Sequence, residues 1–166
     1  LMPESSLVIH NVGLNPTRSS LLDFLTAVGA SIKVIDVKQS GGELIGSLRV
    51  RASKIKGGLI EGALTAALID EIPALAILGA ASQGGLVVRD AAELRVKETD
   101  RIAAIESNLL RMGVAIETTP DGFHIPGGQI FRAAEIDSAG DHRIAMAFSV
   151  AALAADGPCT IHGAES

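Results

Sequence analysis

Neither tryptophan nor tyrosine occurs in this chain and phenylalanine occurs only four times, so aromatic residues fill 2% of its 166 positions. The stacking platforms that hold single-stranded nucleic acid have almost nothing to be built from. The formal net charge of -5 at pH 7 also withholds the basic footprint that a phosphate backbone requires, and nucleic acid is not an expected partner. Cysteine occurs once, at Cys159 in an apolar run, so no internal disulfide is possible. That thiol reads as a small core residue, and a reduced, cytoplasmic setting is the expectation. Long apolar runs are missing too. The longest, residues 144–155, is interrupted by Ser149 and falls short of the roughly 20 residues of a membrane span, so a soluble protein without a membrane partner is expected. An initiator methionine is also absent. The chain starts at Leu1 with no visible signal pattern, which leads to the expectation of a piece of a longer polypeptide.

What the sequence does hold is Ala, Ile, Leu, Val and 18 glycines, within a hydrophobic share of 48%. That mix suits helices packed closely on sheets, an α/β (α+β) class, in one domain or a large part of a larger one. Residues 7–11 read as a strand, Asn15-Pro16-Thr17 as a turn and helix start, and 19–28 as a helix with Leu21, Leu22, Phe24, Leu25 and Val28 on one side. Gly29 ends it. Residues 32–37 and 44–51 read as strands joined through Ser40-Gly41-Gly42, giving a β-α-β-β order. A basic, glycine-rich stretch follows at 54–62, then 63–72, then a helical run at 73–82 that opens on Pro73. Residues 86–90 form another strand candidate. Ile102, Ile105, Leu109 and Met112 stand at helical spacing before Gly113, 123–125 and 133–136 are short strand candidates, and Asp141 opens an apolar helix.

Parts of this order recur. Residues 7–11 match 86–90, Thr17-Arg18 matches Asp100-Arg101, and Gly29-Ala30-Ser31-Ile32 matches Gly113-Val114-Ala115-Ile116. Repeat units are expected to start near residues 5, 84 and 158, the last cut short by the chain end.

Chemistry concentrates in two polar groups. Residues 94–101, LRVKETDR, pack Arg95, Lys97, Glu98, Asp100 and Arg101 into eight positions, and Asp141-His142-Arg143 stands at the head of the apolar helix. The first group alone reads as an ordinary solvated loop; two such groups suggest one anion pocket. If a helix begins near Lys97, then Lys97 and Arg101 share a face and offer two cations to one ligand. Arg's planar fork suits carboxylate or phosphate. Arg143, in a first helical turn, runs against the helix dipole and calls for either an anionic ligand or a salt bridge to Asp141 or another acid. Glu98, between cations, is either simply paired or a proton donor and acceptor. Asp70 lies in a mostly apolar run, where it or Glu71 caps the Pro73 helix or serves as an acid or base. His10, His124 and His162 lack partners at metal-ligand spacing and read as structural, with His142 the exception. The glycine pairs at 41–42, 57–58, 84–85 and 127–128 lack the spacing of a Walker or dinucleotide motif, so no nucleotide cofactor is indicated.

Four motifs in order, NPTR at 15–18, LIDEIPALA at 68–76, LRVKETDR at 94–101 and DHRIAM at 141–146, closely resemble the 5-enolpyruvylshikimate-3-phosphate synthase family over essentially the whole chain. LIDEIP resembles its glyphosate-tolerant bacterial class. The resemblance places the chain in the C-terminal half of such an enzyme and implies a lobe of repeated β-α-β-α-β-β units around inward-packed helices. It implies transfer of the enolpyruvyl group of phosphoenolpyruvate to the 5-hydroxyl of shikimate 3-phosphate with release of phosphate, on the path to chorismate, without metal or organic cofactor. It further implies Asp70 as general base and shikimate contact and Lys97 as a ligand of shikimate phosphate or a bridge between substrates. Glu98 is then the acid at the enol carbon, and Arg101 and Arg143 hold phosphoenolpyruvate with His142 nearby. The division of proton transfers between Asp70 and Glu98 stays open. UDP-N-acetylglucosamine enolpyruvyl transferase shares reaction and fold, but KETDR and DHR favour the shikimate enzyme; a non-catalytic lobe is the remaining alternative. The family's N-terminal basic segment, the Ser-Ser-Gln contacts of the other lobe and a lysine beyond Ser166 are absent, so the chain alone is expected to be inactive until the missing lobe is supplied.

Overall fold

The computed structural model describes residues 2–15 and 20–164. The turn and helix start read at Pro16-Thr17, and the Thr17-Arg18 half of the repeat match, lie outside the described residues. Contacts divide the chain into two compact units, residues 1–55 and 56–166.

The first unit runs β1 (Ser6–Gly13), α1 (Ser20–Ala27), β2 (Ser31–Ser40) and β3 (Glu43–Arg51). β3 is the central strand, antiparallel to β1 on one side and to β2 on the other. The β2–β3 hairpin closes on Gly41 and Gly42, both at positive φ, as a two-residue turn between right-twisted strands requires. Phe24 and Val28 from the helical stretch are buried, as is Leu48 of β3.

The second unit runs β4 (Gly58–Ile60), α2 (Ala63–Ala67), α3 (Ile72–Ala81), β5 (Leu86–Val88), a 3-10 helix (Ala92–Val96), α4 (Arg101–Arg111), β6 (Glu117–Thr119), β7 (Gly122–Ile125), β8 (Glu135–Asp137), α5 (His142–Leu153) and β9 (Thr160–His162). Its four-stranded sheet has the order β4-β5-β7-β6, with β4 parallel to β5 and the rest antiparallel; β8 and β9 pair in parallel. Apolar residues of α3, α4 and α5 form the core, among them Ile72, Ile77, Ile102, Leu109, Ile144 and Phe148.

The two units share a connectivity. β1, β3 and β2 stand in the same relation as β5, β7 and β6. β1 and β5 each have a non-glycine residue at positive φ, Asn11 at 55° within β1 and Asp90 at 56° two residues past β5. α1 and α4 also end alike: Ala30 N–H donates to Leu25 and Gly29 N–H to Thr26, while Val114 N–H donates to Leu109 and Gly113 N–H to Leu110. This is the Schellman arrangement, and the left-handed residue it needs is Gly29 or Gly113, at φ 103° and 74°.

Several readings change. β4 and β6 were not expected, being three residues each. The strand at 86–90 stops at Val88, and the one at 133–136 shifts to Glu135–Asp137. The apolar helix opened by Asp141 leaves Met146, Val150 and Leu153 exposed, whereas α3 buries seven of its ten residues. Cys159 is half-buried just before β9 instead of lying in the core. The glycine pairs have a steric purpose: a Cβ on Gly57 would stand 2.5 Å from the Gly85 carbonyl oxygen, and one on Gly127 would stand 2.5 Å from the Gly85 nitrogen and from the Ser82 carbonyl oxygen. Three chain segments cross there backbone against backbone.

Gly85 combines that crowding with a φ of 80°, whereas Gly128, at 69°, faces open space. Gly85→Ala is expected to cost about 2–5 kcal/mol of unfolding free energy, the left-handed penalty plus overpacking, against about 1–2 for Gly128→Ala. Urea unfolding of the two variants measures the gap, and equal losses would refute the crowding.

Candidate active site

Three carboxylates from separate stretches of the second unit converge on the side chain of Arg101, the first residue of α4, which is 1% exposed. Its Nε donates to Asp141 Oδ2 at 2.7 Å, its Nη1 to Asp70 Oδ1 at 3.1 Å, and its Nη2 to Glu98 Oε2 at 2.6 Å. All three guanidinium nitrogens are therefore engaged with carboxylates. Asp141, fully buried, completes the pair and also caps α5, its Oδ1 accepting from the Arg143 backbone N–H at 2.8 Å. One carboxylate thus fixes the guanidinium of α4 and the first turn of α5.

Burial pushes the Asp141 carboxyl up, but hydrogen bonds from Arg101 and from the backbone N–H groups of Arg143 and Ile144 outweigh it and hold it below the ordinary carboxylate range. For Arg101 burial works against the charge, and the bonds to Asp141 and Asp70 more than offset it, so the guanidinium titrates even higher than usual. Both members stay charged.

Arg143, 33% exposed on its side chain, faces Asp70 from the other side: Nη2 lies 3.7 Å from Asp70 Oδ2, Nη1 lies 3.7 Å from Glu71 Oε1, and Nη1 donates to the Asp70 carbonyl oxygen at 3.2 Å. Asp70 is consequently a carboxylate set between two guanidiniums. Capping does not explain it, since Glu71 is the N-cap of α3 and no side chain bonds the open N–H groups there. The anticipated salt bridge of Arg143 goes to Asp70 and Glu71, while Asp141 spends its side chain on Arg101.

The shared face of Lys97 and Arg101 is not formed. The 3-10 helix ends before Lys97, Asp100 caps α4, and Lys97 pairs with Glu93 one 3-10 stretch back. Arg95 is also fully used, bonding the carbonyls of Pro120 at 2.8 Å and Thr119 at 2.6 Å and Asp100 Oδ2 at 2.8 Å, which pins the charged loop to the β6–β7 turn. His142 is the exposed first residue of α5, next to Arg143.

The two polar groups of the sequence do meet, as one site, with Asp70 added. In it two arginines face four carboxylates, Asp70, Glu71, Glu98 and Asp141, so each cation is already neutralised. Glu98 and Asp70 retain 52% and 44% side-chain exposure, so solvent and solutes reach them. Asp141 was missed as a site residue, although an acid directly before an apolar helix is a readable capping signal.

Known proteins match the chain over its whole length. The family described as EPSP synthase (3-phosphoshikimate 1-carboxyvinyltransferase) matches residues 1–166. The 3-phosphoshikimate 1-carboxyvinyltransferase of Solibacter usitatus (strain Ellin6076) is 60% identical over 166 residues, covering 100% of this chain and 39% of that protein. That of Synechococcus sp. (strain JA-3-3Ab) is 51% identical over 165 residues, covering 99% and 37%. Among solved structures, EPSP synthase from Acinetobacter baumannii matches with a TM-score of 0.93 at 40% identity over 99% of this chain and 39% of that one. The chain spans about 39% of the length of such relatives.

Asp141→Asn keeps the helix cap but removes the charge opposite Arg101. It is expected to lower stability by about 3–5 kcal/mol, the cost of leaving a buried cation unpaired, as read from urea unfolding at neutral pH. The depressed Asp141 value also has a pH signature. Its stabilisation is complete above the unfolded-state value of about 4 and is lost as pH falls through the lower folded value. Unfolding midpoints between pH 6 and 2 should fall more steeply for the natural chain than for Asp141→Asn; parallel curves would remove Asp141 from the account.

Proposed function

Since the chain belongs to the EPSP synthase (3-phosphoshikimate 1-carboxyvinyltransferase) family, we propose that it supplies one side of an active site that joins phosphoenolpyruvate to shikimate 3-phosphate. The observation that carries this reading is Asp70 held between the guanidiniums of Arg101 and Arg143, with Glu98 on the outer edge of Arg101. Cations for an anionic substrate and two solvent-reachable carboxylates for proton transfer stand within one cluster. The reaction needs both kinds.

The carboxylate and phosphate of phosphoenolpyruvate compete with the protein's own carboxylates for the two arginine forks, first at Arg143, which is the more exposed. Asp70 takes the proton of the 5-hydroxyl as the hydroxyl oxygen bonds to C2 of phosphoenolpyruvate, while Glu98, which takes up a proton from solvent once substrate displaces it from Arg101, delivers that proton to C3, turning methylene into methyl. In the second stage Glu98 takes a proton back from C3, the double bond re-forms, and the C2–O bond to phosphate breaks. Asp70 returns its proton to the departing phosphate. No proton is left over, and each carboxyl group ends as it began. Lys97, once released from Glu93, adds a cation for the shikimate phosphate, and His142 lines the rim beside Arg143. This chemistry draws on the chain's own side chains and asks for no cofactor.

The relatives are more than twice as long, and the rest of such a polypeptide is the partner that closes the site; the repeat boundaries near residues 5, 84 and 158 belong to the same proposal. The setting proposed is the cytoplasm; among the described residues no helix is long and apolar enough to cross a membrane.

In the longer polypeptide, Glu98→Gln should lower turnover by about 10²–10⁴-fold with little change in phosphoenolpyruvate affinity, the mark of lost proton transfer. Arg143→Gln should instead weaken phosphoenolpyruvate binding. The 166-residue chain alone should release no phosphate from the two substrates, and robust release would overturn the two-sided site. Amide-resolved NMR of this chain with phosphoenolpyruvate, then shikimate 3-phosphate, should give saturable shifts at Glu98, Arg101 and Arg143. Shifts elsewhere only would reject the assignment.

A further inference from the structure

One face of the β1-β3-β2 sheet carries a cluster of cations in register. Directly opposed residues share a face, and the register stacks Ser6, Arg51 and Ser31 in one row and Val8, Arg49 and Lys33 in the next. Neither row contains an acid. Among the described residues, the side chains of Ser31, Lys33, Arg49 and Arg51 have no hydrogen-bond or ion-pair partner, and they line a cleft of about 70 Å³. The setting is locally basic within an acidic chain: residues 1–55 hold six Lys and Arg against four Asp and Glu, whereas the whole chain carries -5.

A merely solvated sheet face would be expected to place opposite charges across the strands, because opposite-sign cross-strand pairs stabilise and like-sign pairs destabilise. Here Lys33 stands directly across from Arg49. That repulsion stays uncompensated by any side chain described. The backbone is also fixed at this end of the sheet, where the Ser31 N–H donates to Ser53 Oγ at 3.0 Å. The cleft has room for several waters, which is space enough for a tetrahedral oxyanion.

We propose that this cleft binds a phosphoryl dianion, with the Arg49 and Arg51 forks and the Lys33 ammonium as donors and the Ser31 hydroxyl as a fourth. Guanidinium forks match phosphate oxygens in pairs, and a dianion between Lys33 and Arg49 turns their repulsion into two attractions. The proposal is independent of the candidate active site, which lies wholly within residues 56–166.

The test is residue-resolved NMR of the 166-residue chain titrated with inorganic phosphate at constant ionic strength, with sodium chloride as the control. Saturable shifts are expected at Ser31, Lys33, Arg49 and Arg51, and the double variant Lys33→Gln, Arg49→Gln should weaken them by about tenfold or more through lost charge-assisted hydrogen bonds. Methyl phosphate, run in parallel, separates the two sources of the group. Tighter binding of the ester means a phosphoryl carried on an organic molecule, and equal or weaker binding means free phosphate. A second readout uses Lys33→Glu, which supplies the missing carboxylate. Phosphate should raise the melting temperature of the natural chain more than that of Lys33→Glu. Shifts equal to those from chloride, shifts confined to Glu98, Arg101 and Arg143, or equal thermal responses of the two chains would each overturn the site.

Discussion

The ion pair of Arg101 with Asp141 is the constraint on which the second unit depends. The guanidinium at the head of α4 is 1% exposed, and a lone charge buried that deeply would cost several kcal/mol. Asp141 makes burial tolerable, and in doing so it sets the distance and angle between the starts of α4 and α5. Asp70 then reaches the remaining edge of the same guanidinium from the segment before α3. Three helices that pack through apolar contacts receive their register from one polar knot. Apolar packing alone tolerates sliding and repacking, whereas a forked donor with three engaged nitrogens has few equivalent arrangements.

This polar knot also explains why the candidate site is rigid on one side and open on the other. The Nε side of Arg101 meets a fully buried acid and the Nη side meets two acids that solvent reaches. Asp70 and Glu98 are therefore the members of the cluster that solvent reaches, while Asp141 is sealed behind Arg101.

Sequence patterns exposed the fold where they were long or punctuated. α1, α4 and the β2–β3 hairpin were legible because helical spacing ended on Gly29 or Gly113 and because Gly41-Gly42 marks a tight turn. β4 and β6 were not legible: three residues carry no period, and Gly57-Gly58 looks like a break until Gly84-Gly85 and Gly127 are seen crossing it. The polar motifs named Asp70, Glu98, Arg101 and Arg143, and the structure gathers them. What spacing could not supply was pairing over 31 or 40 residues, which is set by how the helices dock. Lys97 shows the local counterpart of that failure. Its four-residue spacing from Arg101 has meaning only within one helix, and Asp100, a strong capping residue between them, starts the helix one turn too late.

The separation in sequence of the Arg101 and Asp141 partners has a consequence for how the chain matures. A nascent polypeptide emerges from its N-terminal end and its domains fold as units. When α3 and α4 are first available, Arg101 has Asp70 and Glu98 but not the acid that makes its deep position tolerable. The second unit therefore has no low-energy way to close around that side chain until residue 141 has been synthesised and α5 has begun to form. The buried pair acts as a checkpoint on completeness, delaying consolidation of the core until nearly all of its elements are present.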